Sequence, residues 1–137
     1  MKPLHLILTS LMMLIIMLMS NACVKKSTPE QAIESYLTAL VSKDATKAVN
    51  FSCVEWEEQA LAEGAAFEGV TVELNGLICK TEDPSGQPFT QVTCQGKFVY
   101  SYAGGENMET DLEGRIFQAK LEDNNWKMCG YPFASFQ

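Results

Sequence analysis

Apolar positions between residues 29 and 137 change their spacing once, and the change divides this stretch into a helical half and a strand half. In the first half Ala32, Ile33, Tyr36, Leu37, Leu40 and Val41 recur three and four residues apart, as one stripe along a helix does. Thr28-Pro29-Glu30-Gln31 supplies the start of that helix. Threonine caps it, proline takes the first turn where no N–H is needed, and Gln31 closes a capping box. Lys43-Asp44 interrupts the stripe, and Asp44 caps a short second helix carrying Ala45, Ala48, Val49 and Phe51. Ser52 with Glu55 reads as another capping box, opening a third helix near residues 53–67 with Trp56, Ala60 and Phe67 on its buried side.

Beyond Gly69 the period becomes two. Val70, Val72 and Leu74 alternate with Thr71, Glu73 and Asn75; after Asn75-Gly76 the apolar phase shifts to Leu77 and Cys79. A bulge within one strand and a tight Asn-Gly hairpin both account for that shift. Val92, Cys94, Phe98, Tyr100 and Tyr102 share one face of the next strand, and Gly104-Gly105 then turns the chain. A third strand is expected over 107–121, and Asp123-Asn124-Asn125 leads into a last strand, Trp126–Tyr131. The expected fold is therefore α+β, with N-terminal helices packed on a curved four-stranded antiparallel sheet.

The first 23 residues follow neither pattern. Lys2 precedes an uncharged, largely apolar run from Leu6 to Met19, then small residues at Ser20 and Ala22, then Cys23. A basic start, an apolar run of about 14 residues and small residues at its end describe a secretory signal peptide. The run is shorter than the roughly 20 residues that a spanning helix needs. The segment resembles a bacterial lipoprotein signal, with Ser20 standing where that family carries a large aliphatic residue. The resemblance implies a signal peptide over 1–22, a lipidated Cys23 with a tether over 23–28, and a domain over 29–137. It also implies attachment to a membrane of the cell envelope (outer membrane or cell surface) through acyl chains on Cys23. Plain secretion, to the periplasm or beyond, and an uncleaved anchor are the alternatives.

Cleavage after Ala22 would leave 115 of the 137 residues, enough for one core. It removes Lys2 and no acid, so the formal charge moves from −7 to −8. An acidic surface argues against nucleic acid, whose phosphates require clustered Lys and Arg. Of five cysteines, four remain beside Cys23: Cys53, Cys79, Cys94 and Cys129. Export permits them to pair. Cys79 and Cys94 are symmetric about a turn at Ser85-Gly86-Gln87-Pro88, which sets them opposite each other on paired strands and leaves Cys53 for Cys129. Four buried free thiols are the alternative. No Cys-x-x-Cys occurs, so neither a zinc ribbon nor a thioredoxin-like redox role has support.

Candidate chemistry is sparse. His5 is the only histidine and lies in the signal segment, so the exported chain would have no imidazole for a nucleophile–histidine pair or a metal. Glu55, Glu57 and Glu58 read as acids that favour a helix N-terminus. Glu106, Glu109, Asp111 and Glu113 read as a solvated strand edge and lack calcium-loop spacing. Arg115, the one arginine, is expected to pair with Glu113 or Asp111. Phosphate loops and nucleophile elbows are absent, and neither a cofactor nor a metal is expected. Tyr36, Trp56, Phe98, Tyr100 and Trp126, with Phe67, Tyr102 and Phe117, form either a filled core or the walls of a pocket for a small apolar molecule.

Three features together carry a second resemblance: Thr28-Pro29-Glu30-Gln31-Ala32-Ile33 with Tyr36-Leu37-Ala39-Leu40, the short helix after Lys43-Asp44, and Asn125-Trp126-Lys127-Met128-Cys129-Gly130 near the end. Their order is similar to that of the nuclear transport factor 2-like (cystatin-like cone) superfamily, and within it to small bacterial lipoprotein domains of unknown function. The resemblance implies a cone of sheet wrapped on helices. That scaffold hosts enzymes, ligand binders and interaction domains, so it does not choose among them. The expected role is a non-catalytic envelope interaction domain, with binding of a small apolar ligand in the cone as the alternative.

Overall fold

The computed structural model describes residues 27–82 and 88–132, which form three α-helices, one 3-10 turn and five strands. The signal segment and Cys23 lie outside the described residues. Helix α1, Pro29–Val41, begins with the expected capping box, Thr28 accepting from the Gln31 N–H and Gln31 from that of Thr28. Helix α2, Ala45–Asn50, is capped by Asp44, which accepts from the Lys47 N–H.

The expected box at Ser52 and Glu55 does not form. The Ser52 hydroxyl is buried and donates to the Ala48 carbonyl instead. Residues Val54–Trp56 make a 3-10 turn, and helix α3 runs from Glu57 to Glu68 with Glu57 and Glu58 in its first turn. The cause is long-range. Phe51 and Cys53 bond Met128 on either side of a parallel bridge from Ser52, so this segment closes a sheet edge before the helix can start.

Strand β1 (Thr71–Thr81) pairs antiparallel with β2 (Phe89–Ser101), and Cys79 stands opposite Cys94. The register slips between Asn75 and Ile78, where Gly76 meets Gly96, so the phase shift is a bulge and not a hairpin. The expected strand over 107–121 is broken in two. Strand β3 (Asn107–Asp111) pairs with Lys97–Ser101 of β2, and β4 (Ile116–Glu122) pairs with Phe89–Thr93. Between them Leu112 turns into the core, its N–H bonded to the Gly96 carbonyl and its carbonyl to the Arg115 N–H. The break lets one edge follow β2 around its bend, and the sheet stays four strands wide. Strand β5 (Asn125–Met128) pairs with β4, and Cys129 and Gly130 extend the contact through Gln118.

The helices cover the concave face of this α+β cone. Ile33, Tyr36, Leu37 and Leu40 of α1 meet Val92, Cys94, Phe98, Phe117, Ala119 and Met128 of the sheet in one buried cluster. Disulfides join Cys53 to Cys129 and Cys79 to Cys94. At the outer edge of β1, Glu34 of α1 accepts from the Cys79 N–H at 3.0 Å and Glu30 accepts from the Thr81 hydroxyl. Those two carboxylates blunt an edge that would otherwise be open to another strand.

Candidate functional site

Inside the cone, polar groups from three segments converge on Glu63. The Tyr36 hydroxyl of α1 donates to Glu63 Oε2 at 2.6 Å, and the Tyr131 hydroxyl, beyond β5, donates to the same oxygen at 3.4 Å. Trp56 Nε1 donates to the Tyr36 oxygen at 3.4 Å, and Gln59 donates to Glu63 Oε1. Tyr131 packs edge-on against Trp56 and at a tilt against Phe117, with ring centroids 5.6 and 5.4 Å apart.

Two glycines allow this arrangement. At Gly64 a Cβ would lie 2.9 Å from Ala45 Cβ, so the bare backbone lets α3 settle on the start of α2 and carry Glu63 toward Tyr36. Gly130 has φ +112°, and a Cβ there would come within 2.9 Å of the Trp56 ring. Only glycine holds that backbone without strain while leaving the indole its place.

Burial, and then the hydrogen bond and charge of Glu63, raise the pKa of Tyr36 well above the ordinary phenol value. Burial, and then the Glu63 charge and hydrogen bond, do the same for Tyr131. Both phenols therefore stay protonated and act as donors. Tyr36 donates one hydrogen bond to the carboxylate and receives one from the indole, so its hydroxyl is already engaged in both directions.

The five aromatic residues singled out from the sequence do not share one wall. Tyr36 and Trp56 belong to the network around Glu63. Phe98 and Tyr100 form a separate group with Phe67, at centroid distances of 5.7 to 6.1 Å. Trp126 lies opposite Leu121 on β5. Two surface grooves are lined by other residues: one by Asn50, Val54, Glu57, Glu122 and Lys127, the other by Glu34, Thr38, Ser42 and Phe51.

Glu63 and Tyr131 were not selected from the sequence. For Glu63 a signal exists: Trp56, Ala60, Glu63, Gly64 and Phe67 fall on one helical stripe, and a carboxylate within an apolar stripe requires a partner. The acids placed at the helix start are spread. Glu55 pairs with Lys120, which also reaches Glu122 at 3.0 Å. Glu109 of β3 pairs with Lys97 of β2 at 2.7 Å, and among the described residues Arg115 forms no ion pair with Glu113 or Asp111. Cys53, Glu55 and Cys129 gather closely enough to suggest a metal, but the two sulfurs are bonded to each other and offer no thiolate.

No protein-family model matches the chain, and no curated protein matches it. Solved structures do. A SEC-C motif containing protein from Rhodopseudomonas palustris shares 15% identity over 74% of this chain and 75% of its own, with a TM-score of 0.49. A putative calcium/calmodulin dependent protein kinase II association domain from Xanthomonas campestris shares 11% over 74% and 84%, TM-score 0.49. A Δ5-3-ketosteroid isomerase from Mycobacterium sp. shares 12% over 77% and 92%, TM-score 0.46.

Proposed function

We propose that the chain is an exported bacterial lipoprotein, held at a membrane of the cell envelope by acyl chains on Cys23, whose domain is a non-catalytic interaction module. The observation that carries this reading is sulfur accounting. Two disulfides consume Cys53, Cys79, Cys94 and Cys129, and Cys23, directly after the apolar segment, is the cysteine left over. Paired cysteines belong to compartments outside the reducing cytosol. The non-catalytic part rests on the engagement of the Tyr36 hydroxyl and on a chain whose one histidine precedes Cys23.

Intact mass before and after reduction tests the reading in one measurement. The expected result is a chain starting at Cys23, heavier by its acyl groups, that gains four hydrogens on reduction. Cys23→Ser should leave the membrane fraction; retention there at full yield would defeat the anchor.

A second reading, a binder of a small apolar ligand, is favoured by the polar focus at Glu63 among Trp56, Phe117 and Tyr131. It calls for a thermal shift with at least one member of a hydrophobic metabolite panel. A flat response across the panel rejects it.

A further inference from the structure

Strand β3 leaves part of its backbone unused. It pairs with β2 alone, and two bonds show which of its residues turn toward that partner. The Leu112 N–H donates to the Gly96 carbonyl at 2.9 Å, and the Tyr102 N–H to the Glu106 carbonyl at 3.2 Å. In an antiparallel ladder, opposed residues alternate between bonded and unbonded pairs. Met108 and Thr110 therefore bond toward Tyr100 and Phe98, while the N–H and C=O groups of Asn107, Glu109 and Asp111 point away from β2. Among the described residues no further strand meets them. On β5 the matching groups are covered. The Trp126 N–H donates to Ser27 Oγ, the Met128 N–H to the Phe51 carbonyl, and the Met128 carbonyl accepts from Cys53.

The two faces of β3 differ. Glu109 and Asp111 stand opposite Val99 and Lys97 on the outer face of the sheet, with Glu73 of β1 beyond Val99. Met108, 49% exposed, stands opposite Tyr100 on the face that carries Phe98. Residues 106–113 hold Glu106, Glu109, Asp111 and Glu113 and no lysine or arginine. Lys97, paired with Glu109, and Arg115 after the turn leave an acidic excess. Such an edge selects its partners. A second copy joined β3 to β3 would set acid against acid, which disfavours it. A strand with cations at alternate positions would set them beside Glu109 and Asp111, and its intervening side chains beside Met108.

We propose that β3 receives an extended basic segment of another envelope protein as an added strand, its lysines or arginines alternating with apolar residues. The proposal gives the interaction-module reading above its partner chemistry and rests on that reading. Backbone bonds to Asn107, Glu109 and Asp111 hold the segment, and the acids choose its charge.

The test uses the purified, oxidised protein and a short end-blocked peptide in which lysine alternates with valine. Amide exchange is followed by NMR. In the free protein Met108 and Thr110 should exchange slowly and Asn107, Glu109 and Asp111 quickly; the peptide should slow those three. Methylating the backbone nitrogens of the peptide's lysines keeps every charge and should weaken binding by about tenfold or more. A peptide with glutamate in place of lysine should not bind, and Glu109→Gln with Asp111→Asn should weaken the lysine peptide. Absence of binding by the lysine peptide, equal binding of its methylated form, or unchanged exchange at the three amides overturns the proposal. Slowing of the same amides with rising protein concentration and no peptide assigns the edge to a second copy and overturns it as well. Intact mass reads the anchor at Cys23 separately, so loss of the anchor leaves the peptide test in force and failure with the peptide leaves the anchor standing.

Discussion

At the tether end, α1, β1, β4 and β5 are tied together by side chains from distant parts of the sequence: Ser27 to Trp126, Glu34 to Cys79, Glu30 to Thr81 and Lys120 to Glu55. The β3 end has the β2–β3 ladder, a turn closed between Tyr102 and Gly105, and the Lys97–Glu109 pair. Both disulfides lie away from β3. The difference follows loop entropy. A hairpin between neighbouring strands closes at small cost, whereas joining residue 53 to residue 129 requires a long loop to be closed, and there a covalent bond has the most to contribute.

The sharpest way to break this comparison is to remove the cross-links in turn. Replacing Cys53 and Cys129 by alanine should lower unfolding free energy by about 4.5 kcal/mol, and replacing Cys79 and Cys94 by about 3, following the closed-loop lengths. Urea midpoints check the order, and a larger loss for the 79–94 pair would overturn the loop-length account. Gly130→Ala comes next. It forces an alanine into φ +112° and against the Trp56 ring, for a loss of about 1–3 kcal/mol in the same titration.

The Glu63 network refines the picture. Tyr36→Phe removes the shorter of the two phenol bonds to Glu63 and should cost about 1–3 kcal/mol, with Tyr131→Phe costing less because its bond is longer. Both phenols have raised pKa values in the fold, caused first by burial and then by Glu63. The unfolded chain therefore releases these protons first. Their contribution is complete below the ordinary phenol value of about 10 and declines as pH rises beyond it, so the native protein should lose stability more steeply in alkali than Tyr36→Phe does. Parallel curves above that pH would remove the network from the account. The smallest effect belongs to the β3 end: Lys97→Ala breaks an exposed pair and should leave the urea midpoint unchanged within error.

Local hydrogen bonds were legible from the sequence and long-range ones were not. The caps at Thr28 and Asp44 need partners only three residues away, so spacing alone reveals them. The pairing of Cys79 with Cys94 was expected from their symmetry about a turn near residues 85–88, most of which lie outside the described residues, and the disulfide forms. The break at Leu112 was invisible because a leucine continues an alternating pattern whether the strand runs on or turns inward; the bend of β2 at Gly96 decides which. Ser52 and Glu55 have capping-box spacing, yet the bridge to Met128 takes that segment first.

Periodicity, caps and cysteine positions by themselves determined the helices-then-strands order, the α+β class and the disulfide pairing, because each depends on neighbours in sequence or on one plane of symmetry. Only the tertiary structure decided that Tyr36 and Tyr131 meet at Glu63 with Trp56 bonded to Tyr36, and that Ser27 accepts from the backbone of Trp126. Those meetings depend on how closely α3 can approach α2 at Gly64 and where the bend at Gly96 carries the sheet, distances that no pattern along one chain encodes.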